Sequence, residues 1–248
     1  RVDLTQNRLS PLVQKRFSDL NLRERDHLQE WLANQPDALG EELVITQKEF
    51  AGFDETRERL DLLALDKDGK LVVIENKLDD SGRDVTWQAL KYTAYVSSLT
   101  KTQIVDIYQQ YLDRFCGGGN AVVRLCEFMG VEDLGEIVLN PGTDQRIVFI
   151  AANFRREVTA TVLWLLSRGI QTQCFKVTPF MLGEELIIDI QQIIPTPEAA
   201  DFMISMSNKD GEEKATHDTQ KHRHKLRLAF WEEVLEQLRA DDVALYQN

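Results

Sequence analysis

The feature that most constrains this chain is a pair of short apolar runs, RLDLLALD (59–66) and KLVVIENK (70–77), each carrying charge inside it. Between them, Asp66-Lys67-Asp68-Gly69 reads as a turn, with Gly69 free to take a positive φ. Two such runs around a short Gly-containing loop predict a β-hairpin. With Lys67, Asp68 and Gly69 as the loop, Asp66 faces Lys70 and, counting outward, Asp61 faces Glu75. Directly opposed residues have Cβ atoms about 4.5–5.5 Å apart on one face of the sheet. Lys77 lies two residues after Glu75 and shares that face. A loop longer or shorter by one residue would undo this arrangement.

Two carboxylates this close repel each other, and apolar neighbours on both strands make their burial costlier. Lys77 alone does not neutralise both, whereas a divalent cation does. Mg²⁺ takes oxygen ligands in an octahedral array and keeps several waters. Asp61, Glu75 and the main-chain carbonyl of Asn76 could supply such a site, with Lys77 orienting or deprotonating a metal-bound water. The spacing D-x13-E-x-K is common by itself. Its weight here comes from charges that interrupt otherwise buried strands. In the next segment, Gln88 and Tyr92 stand four residues apart on one helical face with Lys91 beside them. They could position a phosphate or the lysine, although a tyrosine in such a pattern is commonly core.

Around the hairpin, residues 22–34 predict an amphipathic helix with Leu22, Leu28, Trp31 and Leu32 on a broad stripe, stopped by Pro36. Residues 43–50 predict a short strand, and 84–99 a helix packed against a sheet. A helix over 102–115 is broken by Gly117-Gly118-Gly119-Asn120, with short helices at 121–129 and 131–136. A second unit follows: strand 146–153, helix 155–168 ended by Gly169, and strands 171–177 and 185–191, closed by Pro195 and Pro197. This order predicts an α/β fold, a mixed central β-sheet flanked by helices, over residues 1–200. Residues 201–224, and 205–224 above all, are polar without an apolar period and read as a linker. Within 225–248, residues 225–239 form an amphipathic helix that reads as the opening of a second domain cut short. The chain opens on Arg1, as a piece of a longer protein would.

The run ERLDLLALDKDGKLVVIENK followed by WQALKYTAYV resembles the PD-(D/E)XK nuclease superfamily, in its RecB-like branch. Asp61 matches the metal-binding Asp, Glu75-Asn76-Lys77 the E-x-K strand, and Gln88 with Tyr92 the Q-x3-Y element. The spacing is similar to NucS-like mismatch endonucleases. In that branch a further Glu on the first core helix helps hold metal. Glu30 is the best match, with Glu24 and Glu41 behind it. The resemblance spans residues 22–195, with 55–99 as its specific part. Leu60 stands where a proline is usual, and residues 1–21 do not resemble the N-terminal DNA-binding domain of NucS-like enzymes.

The resemblance implies a restriction-endonuclease-like core and a Mg²⁺-dependent phosphodiesterase acting on DNA, with Mn²⁺ as a substitute and a role in repair, restriction or defence. Asp61, Glu75, Lys77, Gln88 and Tyr92 would be catalytic, and Asp61, Glu75, Asn76 and Glu30 would surround the metal. Arg59, Arg83 and Lys91, with Arg57, flank the site and would touch backbone phosphate. The alternative is a silent module of the same fold that binds nucleic acid or protein without turnover. A partner protein, a missing C-terminal domain and an oligomer are all compatible with the orphan final helix.

Composition removes other classes. The 29 Lys and Arg against 41 Asp and Glu leave a net charge of -12, which excludes a DNA-packaging protein. Metal-dependent nucleases need carboxylates, so the balance does not exclude them. No apolar run approaches the ~20 residues of a membrane span, and no signal peptide opens the chain, so a cytoplasmic setting is expected. Cys116, Cys126 and Cys174 form neither a disulfide framework nor a zinc pattern. His217, His222 and His224 lie in the linker without a metal framework around them. Gly117–Gly119 is not a phosphate loop. Arg155 and Arg156 read as solvated charges at a helix start. Trp31, Trp87, Trp164 and Trp231 read as core.

Overall fold

In a computed structural model the described residues are 2–9, 11–50, 59–82 and 84–196. The chain divides into two units, Arg1–Pro195 and Thr196–Asn248. The linker, the final helix with Trp231, the three linker histidines, Arg57 and Arg83 lie outside the described residues. The strands are β1 (Val2–Asp3), β2 (Arg8–Leu9), β3 (Val13–Gln14), β4 (Leu43–Phe50), β5 (Leu60–Asp66), β6 (Leu71–Asp80), β7 (Arg146–Asn153), β8 (Thr172–Leu182) and β9 (Glu185–Ile194). The helices are α1 (Gln29–Asn34), α2 (Val85–Val96), α3 (Lys101–Phe115), α4 (Ala121–Met129) and α5 (Arg156–Ser167).

A mixed seven-stranded sheet organises the first unit. β4, β5 and β6 form an antiparallel meander. β6, β7 and β8 run parallel. Parallel neighbours need a long crossover, and here the crossovers carry α2 to α4 and α5. β9 returns antiparallel along β8, and β3 pairs with the far half of β8. The expected α/β fold with a mixed sheet between helices is therefore present. Every residue of β5 is buried, as strands covered on both faces require.

The hairpin takes the register read from the sequence: Leu62 faces Ile74, Leu63 faces Val73, Ala64 faces Val72 and Leu65 faces Leu71. Its turn is built by Asp66. The Asp66 amide donates to the Lys70 carbonyl at 3.1 Å, and its carboxylate accepts from the Asp68 and Lys70 amides at 3.0 and 2.9 Å. Gly69 sits at φ +77°, and a Cβ there would meet the Val138 carbonyl oxygen at 2.5 Å. The Asn140 amide donates to the Gly69 carbonyl at 2.7 Å, and the Asn140 side chain reaches the carbonyls of Val96, Ser97 and Leu99. One residue thus ties the hairpin turn to the end of α2.

Four expectations change. The helix over 22–34 begins as a π-helical turn, Glu24–Leu28, before α1. The short helix at 131–136 is one 3-10 turn, Leu134–Glu136. Trp87 and Trp164 are 68% and 57% exposed rather than core, because they stand on the outward faces of α2 and α5. Arg155 is paired rather than simply solvated, with its Nε 2.8 and 3.0 Å from the carboxylate oxygens of Asp80.

At the opposite end of the parallel strands, the Arg146 guanidinium donates to both Glu41 oxygens at 2.6 and 2.7 Å, to Asp66 at 2.9 Å and to Gln173 at 2.6 Å. These bonds join β5, β7 and β8 to the segment before β4. Removing one partner of a buried charge cluster leaves the other charges unpaired. Arg146→Ala should cost about 3–5 kcal/mol, read as a lowered urea midpoint at unchanged slope.

Candidate active site on the central hairpin

The β5–β6 ladder stops at Leu62 and Ile74. Beyond that pair β6 stays zipped to β7, with Glu75 opposite Phe149, Asn76 opposite Ile150 and Lys77 opposite Ala151. The Asn76 amide donates instead to the Asp61 carboxylate at 2.8 Å. The strands therefore part where the sequence inserts its charges. Continuing the register sets Asp61 opposite Glu75, close enough for the Asp61 charge to act on the Glu75 carboxyl.

Asp61 is 5% exposed and Glu75 2%. The Glu75 Oε1 has no hydrogen-bond partner among the described residues. Burial pushes the Asp61 carboxyl up to about 6, with Lys77 and the Asn76 amide pulling the other way and Glu24 and Glu49 adding to the rise. Burial and then the Asp61 charge push Glu75 up to about 9. Both groups carry their charge at a cost in this environment, as the sequence argument requires.

Lys77 reaches into the same space. Its Nζ lies 4.0 Å from Asp61 Oδ2 and donates to Glu24 Oε1 at 3.3 Å. Burial alone would lower its pKa, but Asp61, Glu24 and Glu75 outweigh that effect and raise it. Lys77 is therefore held as a cation here.

The first-helix carboxylate at this site is Glu24. Its second oxygen accepts from the Leu78 amide at 3.1 Å. The best sequence match, Glu30, is turned away, with both its oxygens on Lys48 Nζ at 2.7 and 2.8 Å. Glu41 belongs to the Arg146 cluster instead. Gln29 of α1 adds a contact, donating to the Asp61 carbonyl at 3.2 Å.

α2 packs on β6 and brings Tyr92 to the carboxylates. Tyr92 is 2% exposed, and burial followed by the charges of Glu75 and Asp61 pushes its phenol up to about 12. Gln88 is half-buried one turn earlier. The Lys91 Nζ stands 5.3 Å from the Tyr92 ring centroid. Asn76 is fully buried on the opposite face from Glu75, and neither polar atom of its side chain has a partner among the described residues.

One neighbour had no signal in the sequence. Glu49 adopts φ +53° near the end of β4. Its carboxylate lies 3.2 Å from Arg25 and 3.6 Å from Arg59. Arg59 is exposed and faces this acidic group.

Two carboxylates and a backbone carbonyl match what Mg²⁺ usually takes from protein, the rest of its shell being water. The unpartnered buried Glu75 oxygen fits that chemistry. Among the described residues no group of three or more His, Cys, Asp or Glu is set to hold a metal ion, and no helix is long and apolar enough to cross a membrane.

No family model matches the chain, and no curated protein matches it. Among solved structures it is similar to the crystal structure of a repair endonuclease from Pyrococcus abyssi, at 14% identity and a TM-score of 0.29. That similarity covers 62% of this chain and 47% of the other, so this chain spans about half its length. A likeness this distant adds nothing to the geometry, on which the functional argument rests alone.

The raised carboxyls carry a pH signature. The folded protein keeps protons that an unfolded chain, with carboxyls near 3.8 and 4.5, has released. Their contribution to stability is complete below about pH 4 and is lost as pH rises through the folded values. In EDTA, the melting temperature of the parent minus that of Glu75→Gln should therefore fall between pH 5 and pH 9. Adding Mg²⁺ should raise the parent's melting temperature more at pH 8 than at pH 5.

Proposed function

We propose that the Arg1–Pro195 unit is a metal-dependent nuclease that hydrolyses DNA phosphodiester bonds. The observation that carries this reading is the splayed end of the hairpin. There two carboxylates are buried side by side against their own electrostatics, with a lysine on the same face. Burial of neighbouring carboxyl groups is costly, and such arrangements cluster at functional sites.

Asp61 and Glu75, with the Asn76 carbonyl, would hold Mg²⁺ or Mn²⁺. When bound, the metal supplies a Lewis acid for the phosphate and a water of lowered pKa. Lys77, cationic in this setting, orients the attacking water and offsets charge on the phosphate. Glu24 fixes the Lys77 ammonium through a side-chain hydrogen bond and takes the place first assigned to Glu30. Tyr92 stands against both carboxyls, and Gln88 one turn away supplies an amide for the phosphate. Lys91 and Arg59 would touch the backbone of the substrate.

A second reading has one observation in its favour. Glu24 is already satisfied by Lys77 and Leu78, and no three-carboxylate cluster stands ready for a metal among the described residues. That would suit a module that keeps the fold and binds without turnover.

Cleavage separates the two. Linear, circular and single-stranded DNA would be incubated with Mg²⁺ or Mn²⁺ and the full chain. Asp61→Ala and Lys77→Ala should each lower the rate at least about 100-fold. Glu24→Ala should also lower it, whereas Glu30→Ala should keep activity within a few-fold of the parent. A parent that is inert on every substrate supports the silent module.

A further inference from the structure

A cleft of about 580 Å³ opens beside the hairpin site without including it. One wall is Asp79 and Asp80 at the end of β6, Asn153 at the end of β7, and Val177 to Pro179 in β8. The other is the segment from Gln14 to Ser18. Its volume lies within the ~300–1,000 Å³ usual for ligand clefts. In open α/β sheets, ligands sit outside the carboxyl ends of parallel strands, and β6 and β7 end here.

The segment that carries the cations is anchored. Val13 and Gln14 pair with Met181 and Phe180 of β8, and the Lys15 amide donates to the Pro179 carbonyl at 3.0 Å. Phe17 is fully buried beneath it. Lys15 and Arg16 line the cleft, exposed and without an ion pair to any described residue. Across from them, Asp80 is neutralised by the two bonds from Arg155. That leaves Asp79 against two cations, so the cleft is net positive in a chain whose net charge is -12. Gln14, Ser18 and Thr178 add neutral hydrogen-bonding side chains.

We propose that this cleft holds the sugar–phosphate backbone of the DNA strand beside the scissile phosphate, with Lys15 and Arg16 as its phosphate ligands. The inference rests on the nuclease reading and extends it to the path of the substrate. Asp79 is two residues beyond Lys77 on β6, an advance of at most about 6.6 Å, since the strand bulges between Lys77 and Asp80. Two nucleotides of one strand rise by about 6.8 Å. A strand whose phosphate lies at Lys77 therefore reaches the mouth of the cleft within about two nucleotides.

The test uses the full chain and a labelled 20-nucleotide DNA, single- or double-stranded, of the kind the parent cuts. Ca²⁺ replaces Mg²⁺ for binding measurements over a series of salt concentrations. Lys15→Ala combined with Arg16→Ala should leave the melting temperature unchanged. It should flatten the slope of log K against log salt by about 1.4 on a single strand or about 1.8 on a duplex. In cleavage, KM should rise with kcat within about twofold, and Lys15→Glu combined with Arg16→Glu should raise KM further. An unchanged slope and KM, in a parent whose cleavage still depends on Lys77, overturns the cleft assignment and leaves the nuclease reading standing. A parent that neither binds nor cuts DNA overturns both.

Discussion

The structure is organised around one unfavourable burial. Asp61 and Glu75 lie side by side in the β5–β6 hairpin among buried leucine, valine and isoleucine side chains. A carboxylate in such a place gives up hydration, and a second one beside it adds repulsion. The fold does not relieve this by pairing alone: Lys77 stands 4.0 Å from Asp61 and is shared with Glu24, while Glu75 Oε1 has no partner among the described residues. The strands also part at this point. The Asn76 amide leaves the β5–β6 ladder for a side-chain carboxylate.

The rest of the unit keeps that opening local. β6 continues against β7 past the point where it leaves β5, so one edge of the site strand is fixed while the other is free. At the far end of the strands the Arg146 cluster locks β5, β7 and β8 together. Asn140 clamps the hairpin turn to the end of α2, the helix that carries Gln88 and Tyr92. Rigid ends around a splayed middle allow charged side chains to be held where packing would not choose them.

The hairpin was legible because its information is local. Register follows from loop length, and loop length follows from Asp66 and Gly69. That fixed the neighbourhood of Asp61, Glu75 and Lys77 before any packing was known. Glu24 was not legible in the same way. It and Glu30 both suit a first-helix carboxylate, and the choice depends on the π-helical turn at Glu24–Leu28 and on where the helix meets Leu78. Glu49 left no mark, since its left-handed backbone conformation has no sequence signature. Trp87 and Trp164 show the converse: helical periodicity placed them on helices but did not say which face met the sheet.

Sequence by itself determined the hairpin, its turn and the face shared by two carboxylates and a lysine, because these depend on residues near one another along the chain. Tertiary structure decided which distant groups complete the site. Glu24 lies far from the hairpin in sequence and arrives through a helix start that meets Leu78, and Glu49 arrives from β4. Contacts of that kind are set by packing and by chain path, and no local spacing encodes them.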